Sequence, residues 1–367
     1  IAGDRPHGGE SRDPIALRWL ADDQCLADEL AAMLTDGGCA VVFRNTVRTA
    51  QQTYEHLQSS LASQGITVSL LHSRYPAAER ERREAEVRRS FGRRRTRRPP
   101  RAVLVTTPLA EQSLDLDFDL AVSDVAPLAN LLQRLGRLHR FAERARPAAL
   151  RRPQLWLLTP PLDAEGLPDF GASAALYAEA DLLTAYLRLR ERCTLSLPAD
   201  TAGLLDASPP ALPPVRAWEG RWRRADDAAR RQAAELAWQA RWASLPAPTA
   251  TAEWRPSLTE RRRWPATRWT VRPTNRLVIL GDDRHVTSPS PATAAAWLAR
   301  VVETPGRHLA HHLRHCPRPS GWDVCPELRT VHPLVADSAG TCRIGALALR
   351  LDPDLGLVIT HPEGGGE

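Results

Sequence analysis

Three arginines at 134, 137 and 140, in the string Gln133-Arg134-Leu135-Gly136-Arg137-Leu138-His139-Arg140, are the densest candidate for chemistry in this 367-residue chain. Spaced i, i+3, i+6, they can share one face of a helix or irregular turn, and Gly136 permits close backbone approach. Planar guanidinium forks set this tightly repel one another unless an anion joins them, and phosphate suits their bidentate geometry. A solvated basic helix is the plainer alternative. A second string, Thr106-Thr107-Pro108-Leu109-Ala110-Glu111-Gln112-Ser113-Leu114-Asp115-Leu116-Asp117-Phe118-Asp119, follows the short apolar run Ala102-Val103-Leu104-Val105. If that run is a strand of an open α/β sheet, the two threonines stand outside its carboxyl end, where such folds bind ligands. A hydroxyl and backbone N–H groups there can hold a nucleic-acid phosphate without reading bases. Taken alone, the threonines are equally well explained as an ordinary cap on a strand-to-helix turn.

Both strings need a scaffold, and the surrounding pattern supplies one. Residues 16–36 carry apolar groups at helical spacing and stop at Gly37-Gly38. Ala40-Val41-Val42-Phe43 is short, apolar and β-branched, as a buried parallel strand should be. A helix over about 47–63, a strand from Ile66 to Leu71 and an Arg/Glu-dense helix over 77–91 follow. Further strands are expected at 102–105, 120–122 and 154–158, with a helix over 127–135. Strands alternating with helices over this length indicate a doubly wound α/β domain. Past Pro160 the pattern changes: a helix over 172–195, a Pro-rich stretch at 198–214, then a helix over 216–245. That last helix bears Trp218/Trp222 and Trp238/Trp242, each pair on one face, which reads as core or interface before base stacking. Short strands at 276–280, 345–351 and 356–360 and helices around 290–315 make the remainder mixed α+β. Asp352-Pro353-Asp354-Leu355-Gly356 has turn chemistry between two of those strands. The expected divisions are 1–36 (lead-in and helix), 37–165 (α/β lobe), 166–260 (helical accessory region) and 261–367 (α+β C-terminal domain).

Composition excludes several classes. All 49 basic residues are arginine, so no phosphate loop of the G-x-x-x-x-G-K-[ST] kind is present. A GC-rich coding sequence accounts for the bias. No apolar run approaches the 18 or more residues of a membrane span, and six scattered cysteines without C-x-x-C spacing suit reduced thiols in a cytoplasm. The chain opens Ile1-Ala2-Gly3 and its one methionine is Met33, which reads as a piece of a longer polypeptide. Net charge is +6, with a pI near 9.4, permitting an acidic polymer as partner. Eight arginines fall between Arg88 and Arg101, a segment that must be a solvated loop or a phosphate contact.

With these residues in hand, a family resemblance becomes specific. Gln133-Arg134-Leu135-Gly136-Arg137-Leu138-His139-Arg140 resembles motif VI of superfamily 2 helicases, and Thr106 through Asp115 resembles motif V. The string Glu111 to Asp119 is similar to that of the type I CRISPR helicase–nuclease. So are Leu70-Leu71-His72-Ser73-Arg74-Tyr75 with Glu79-Arg80, and Val41 to Val47 as motif IV. The likeness continues weakly at Ala266-Thr267-Arg268 and closes on Leu351-Asp352-Pro353-Asp354-Leu355-Gly356-Leu357-Val358. It implies a second RecA-like lobe followed by a C-terminal domain, in an enzyme of antiviral defence leaning toward type I-E. It further implies that Arg137 and Arg140 are arginine fingers reaching the ATP γ-phosphate, with Gln133 positioning the water or that phosphate. Asp115, Arg134 and Glu111 would serve the nucleotide side, Asp115 by the ribose or orienting a finger. Asn45, Thr46, Ser73, Arg74, Thr106 and Thr107 would line a track for single-stranded DNA. Implied partners are that DNA, an RNA-guided surveillance complex, and a first RecA lobe and nuclease domain holding Mg²⁺ and the nuclease metal.

The chain departs from a complete family member in ways that limit it. It has no His-Asp dipeptide for a nuclease, and its only Asp-Glu pair, Asp28-Glu29, falls inside an expected helix rather than in a D-E-x-H-like motif. By itself it should hydrolyse nothing. His308, His311, His312, His315, Cys316 and Cys325 lack the paired spacing of a closed zinc site, and no metal is assigned to them. Two other readings stay open at this point: another superfamily 2 helicase, acting on RNA or in repair, or a stand-alone module that only grips nucleic acid or a partner.

Overall fold

The structure is a computed structural model that describes residues 13–21, 24–93, 98–109, 114–243, 274–281, 289–314, 316, 318–319, 321–322 and 325–360. Two compact units emerge: Ile1–Glu219 together with Leu351–Val358, and Gly220–Arg350 together with Ile359–Pro362.

The first unit is built on a seven-stranded sheet in the order β3-β4-β2-β5-β6-β1-β7. Its elements in chain order are β1 (Ile15–Leu20), α1 (Gln24–Met33), β2 (Gly38–Phe43), α2 (Val47–Leu61), β3 (Thr67–Leu71), α3 (Ala77–Phe91) and β4 (Arg101–Thr106). They continue as β5 (Leu120–Ser123), α4 (Leu128–Leu135), β6 (Gln154–Leu158), α5 (Glu179–Leu189) and β7 (Thr194–Leu195). Every pairing is parallel except that of β7 with β1. The central strands β2, β4 and β5 are buried along almost their whole length, with apolar runs at their centres, as strands covered on both faces require. Leu26, Leu30, Leu57, Leu61, Val42, Val105, Val122 and Trp156 form the core on one side. This is the expected RecA-like architecture.

Two sequence expectations are corrected here. Ile15–Leu20 is a strand, not the start of a helix running to residue 36. Ile15, Leu17 and Leu20 are buried while Ala16 and Arg18 face outward, and the segment lies in parallel register with Gln154–Leu158. An apolar pattern this short fits both periods, and the open edge of β6 decides it. The helix expected over 172–195 is confined to Glu179–Leu189. A single 3₁₀ turn, Gly171–Ala175, precedes it, and Thr194–Leu195 pair instead with Ile15 and Ala16.

A 28-residue helix, α6 (Arg216–Ala243), follows. Trp218 is buried and stacks on Tyr186, whereas Trp238 is exposed, so the tryptophan stripe is core at one end only. The side chain of Trp242 lies outside the described residues, as do Ala266-Thr267-Arg268.

The second unit holds β8 (Thr274–Leu280), α7 (Pro291–Ala299), β9 (Val302–Pro305), α8 (Arg307–Leu313) and β10 (Val331–Val335), with sheet order β10-β8-β9. Trp297 stacks on Trp322 at 4.7 Å between centroids, and Val278, Leu280 and Val331 close around them. A three-stranded meander, β11 (Thr341–Ile344), β12 (Leu347–Asp352) and β13 (Gly356–Thr360), completes the chain. The tip of its last hairpin, Leu351–Val358, belongs to the first unit, where Leu355 and Val358 pack into the core.

Candidate nucleotide and nucleic-acid site

Strand register assembles the first group of residues. Phe43, Leu71, Thr106 and Ser123 stand level across β2, β3, β4 and β5, so the residues after each strand emerge along one carboxyl edge. Asn45, Thr46, Ser73, Arg74, Thr106 and Thr107 are all brought there, although they span more than sixty positions of the chain. Their side chains have different tasks. Asn45 is 3% exposed; its amide donates to the Val125 carbonyl (2.7 Å) and the Ser173 hydroxyl (3.0 Å), and its Oδ1 accepts from Arg134 (2.9 Å). Thr106 Oγ1 donates to the Leu71 carbonyl at 2.9 Å, tying β4 to the end of β3. Thr46 caps α2, its hydroxyl accepting from Thr49 N. Arg74 and Thr107 are buried, while Ser73 and Thr46 retain more surface.

Arg134 therefore needs correcting as a nucleotide contact, and Asn45 as a side chain that meets DNA. The helix α4 ends at Leu135, and helical side chains lean back toward the amino end of their helix. The Arg134 fork accordingly reaches the carboxyl edge, donating to Ser123 Oγ at 2.7 Å and to Asn45, over the face of Phe43. With no exposed surface, it is an internal brace.

The second group forms beyond the helix end. Gly136 caps α4, and Arg137 to Arg140 are not helical, so the three arginines do not share a face. Arg137 is half-buried, while Gln133 and Arg140 are exposed. The Arg140 guanidinium pairs with Asp115, which the sequence placed beside a finger or the ribose. The loop lies along the strip Asp117-Phe118-Asp119, just before β5. Phe118 N donates to the Arg137 carbonyl (2.9 Å), and His139 N donates to the Phe118 carbonyl (3.0 Å). His139 adopts φ +48°, and its ring Nε2 lies 3.2 Å from the Asp119 carbonyl. Burial, then Arg146, hold its imidazole below the usual pKa. Glu111 lies outside the described residues.

Beneath the loop sits an ion cluster that sequence reading missed. Asp117 and Asp119 are buried and meet three guanidinium groups, those of Arg98, Arg144 and Arg146. Alternation with the buried Leu116 and Phe118 would by itself send these carboxylates to solvent, so the string alone gave no signal of the cluster. Buried carboxylates require forks, and arginines lie nearby in sequence on both sides.

A third feature joins the carboxyl edge to the C-terminal hairpin. His72 Nε2 lies 3.0 Å from the Leu355 carbonyl, and Arg74 N donates to His72 Nδ1 at 3.1 Å. Tyr75 stacks on His72 and donates its hydroxyl to the Asp354 carbonyl at 2.6 Å. Gln51 donates to the Leu355 carbonyl as well, and Leu357 N to that of Arg74. Gly356 is required at φ +68°, where an added Cβ would stand 2.6 Å from the Arg74 carbonyl. The Ser73-Arg74 loop is thus shaped by a hairpin nearly three hundred residues away in sequence.

Among the described residues, no three His, Cys, Asp or Glu side chains gather as metal ligands, and no helix is long and apolar enough to cross a membrane. His315 lies outside those residues. No disulfide links the cysteines among the described residues, and burial pushes the Cys39 thiol up to about 12.

Comparison with known proteins agrees with this layout. Residues 36–143 match a family described as "CRISPR-associated nuclease/helicase Cas3, C-terminal", and residues 270–357 match "Cas3 C-terminal domain". The CRISPR-associated endonuclease/helicase Cas3 of Thermus thermophilus is 47% identical over 145 residues, covering 39% of this chain and 15% of that protein. Among solved structures, T. fusca Cas3-ATP superposes with a TM-score of 0.77 at 28% identity, over 97% of this chain and 44% of the other. A chain of a "CRISPR RNA-guided surveillance complex, pre-nicking" superposes with a TM-score of 0.72 at 26% identity, over 95% and 44%. The chain spans less than half the length of these relatives.

Proposed function

Since this chain belongs to the Cas3 family, matching its C-terminal part, we propose that it is the second RecA-like lobe and C-terminal domain of an ATP-driven helicase–nuclease that moves along single-stranded DNA. The observation that carries the proposal is the pair Arg137 and Arg140, set on a non-helical loop past α4 beside Asp115, while the neighbouring Arg134 is turned inward. Phosphoryl transfer demands little covalent chemistry of the protein and much positioning and charge stabilisation, which is what such a pair supplies. Arg137 and Arg140 reach the γ-phosphate of ATP held on a first RecA-like lobe, and Gln133 orients the water. That lobe holds Mg²⁺, and a separate nuclease domain holds its own metal; this chain alone hydrolyses neither ATP nor DNA. The carboxyl edge, through Thr46 and Ser73, supports one side of the strand. ATP draws the lobes together and hydrolysis releases them, advancing the strand. Support for an RNA-guided complex as recruiting partner comes from the relative seen in such an assembly.

The test is Arg137→Lys in the complete enzyme. Lysine keeps the charge and loses the fork, so DNA-stimulated ATP turnover should fall on the order of 10³-fold or more. Turnover at the unsubstituted rate would remove the finger role.

A further inference from the structure

The finger loop has little secondary structure to fix it. Past Gly136 the backbone makes a turn and a single bridge between Leu138 and Phe118, and two long arginine side chains must nonetheless arrive at a defined place. The strip that carries this bridge is held from the other side by charge. Arg146 contacts both carboxylates, donating to Asp117 Oδ1 at 2.8 Å and pairing with Asp119, and also reaches the carbonyls of Phe118 and Phe141. Arg98 donates to Asp119 Oδ2 at 2.7 Å and to the Asp117 carbonyl at 2.8 Å. Arg144 lies 3.2 Å from Asp117 Oδ2 and donates to the Gly92 carbonyl. The carboxylates in turn accept backbone N–H groups at the two margins: Asp117 takes Phe141 N, which closes the finger loop, and Asp119 takes Cys39 N, which opens β2.

Placing two buried carboxylates among three partly buried guanidinium groups is a poor route to stability alone, since well-packed apolar groups of similar volume commonly do as well or better. Its distinctive product here is geometric. Each member bonds main chain: of the strip, of the finger loop, of β2, or, for Arg144, of Gly92 at the end of α3. We propose that Asp117, Asp119, Arg98, Arg144 and Arg146 are positioning residues that set the reach of Arg137 and Arg140 toward the phosphate. They touch no substrate and act through the loop. The inference rests on the finger reading above and adds to it the residues on which finger placement depends. It also gives Arg98, within the arginine-rich segment, a place in the interior rather than on nucleic acid.

The experiment is a double-mutant cycle in the complete enzyme, read by single-turnover ATP hydrolysis on a single-stranded DNA activator, with ATP affinity and DNA affinity measured alongside. Asp117→Asn should slow hydrolysis about 100-fold, the scale of a misplacement of about 1 Å, while both affinities hold. Combined with Arg137→Ala, it should add much less than its own 100-fold, because only Arg140 is left to be misplaced. Arg98→Ala, which leaves each carboxylate at least one fork, is the milder second variant and should behave in the same way. It carries the test if Asp117→Asn fails to fold. Hydrolysis at the unsubstituted rate in Arg98→Ala and Asp117→Asn, or losses that add in full to that of Arg137→Ala, would overturn the positioning role while leaving the fingers standing. An Arg137→Ala enzyme with undiminished hydrolysis would remove the finger reading and this proposal together.

Discussion

Arg134 and Arg137 stand three residues apart and have opposite surroundings, because the helix carrying the first stops before the second. Arg134 ends inside, bonded to Ser123 and Asn45; Arg137 leaves the helix with the turn at Gly136. Removing Arg134 orphans the Asn45 carbonyl oxygen and opens a cavity against Phe43, so Arg134→Ala should destabilise the lobe by about 3 kcal/mol. Arg137→Ala, at a half-buried position outside that network, should cost less, about 1 kcal/mol. Urea titration of the complete enzyme, followed by a probe in this lobe, separates the two; equal losses would mean that Arg134 is not a brace. The string Q-R-x-G-R-x-x-R was conspicuous in the sequence as a tight cluster of guanidinium forks. Which arginine points where was not legible, because that depends on the residue at which α4 ends, and helix ends are decided by tertiary contacts as much as by composition. The same holds for Asn45: its type and place suited a phosphate contact, but three bonding partners from distant segments claim it.

Among the elements, the carboxyl edge of the sheet was predictable and the hairpin that braces it was not. Alternating short apolar strands and amphipathic helices declare a doubly wound sheet, and the loops after its strands then fall on one edge. Nothing local to Leu70–Tyr75 announces that its partner is Asp354–Leu357. His72 records the contact in its chemistry: burial, the largest influence, depresses its pKa to about 3. A histidine near 6.5 when unfolded and near 3 when folded binds more protons in the unfolded state throughout that interval. Stability from this site is therefore fully present above pH 6.5 and is lost as pH falls toward 3, by about 2 kcal/mol at pH 5. His72→Gln should flatten that part of the stability profile measured by urea midpoints between pH 7 and 5; an unchanged slope would place the effect elsewhere. The β1 strand escaped detection for a complementary reason. Six residues cannot establish a period, and the open edge of β6 that recruits them lies more than 130 positions later.

At the scale of the whole molecule, every cation is an arginine and the net charge is positive. Binding of single-stranded DNA by the complete enzyme should weaken along a straight line in log affinity against log salt, with a slope of about −0.7 per phosphate neutralised. A flat line, measured by fluorescence anisotropy, would mean that base stacking and not the backbone holds the strand. The arginine-rich stretch from 88 to 101 is part of this field, yet Arg98 is committed to the interior, so deleting 92–100 would disturb the loop at Arg137 as well as any outward contact. The C-terminal hairpin has a further consequence, in the order of synthesis. Leu355 and Val358 complete the core of a lobe whose strands were all translated earlier, and the intervening unit must emerge before they do. Until then Gln51, His72 and Tyr75 have no partner to close upon. The lobe therefore remains unfinished on the ribosome, and its last fold step is gated by the production of the segment behind it.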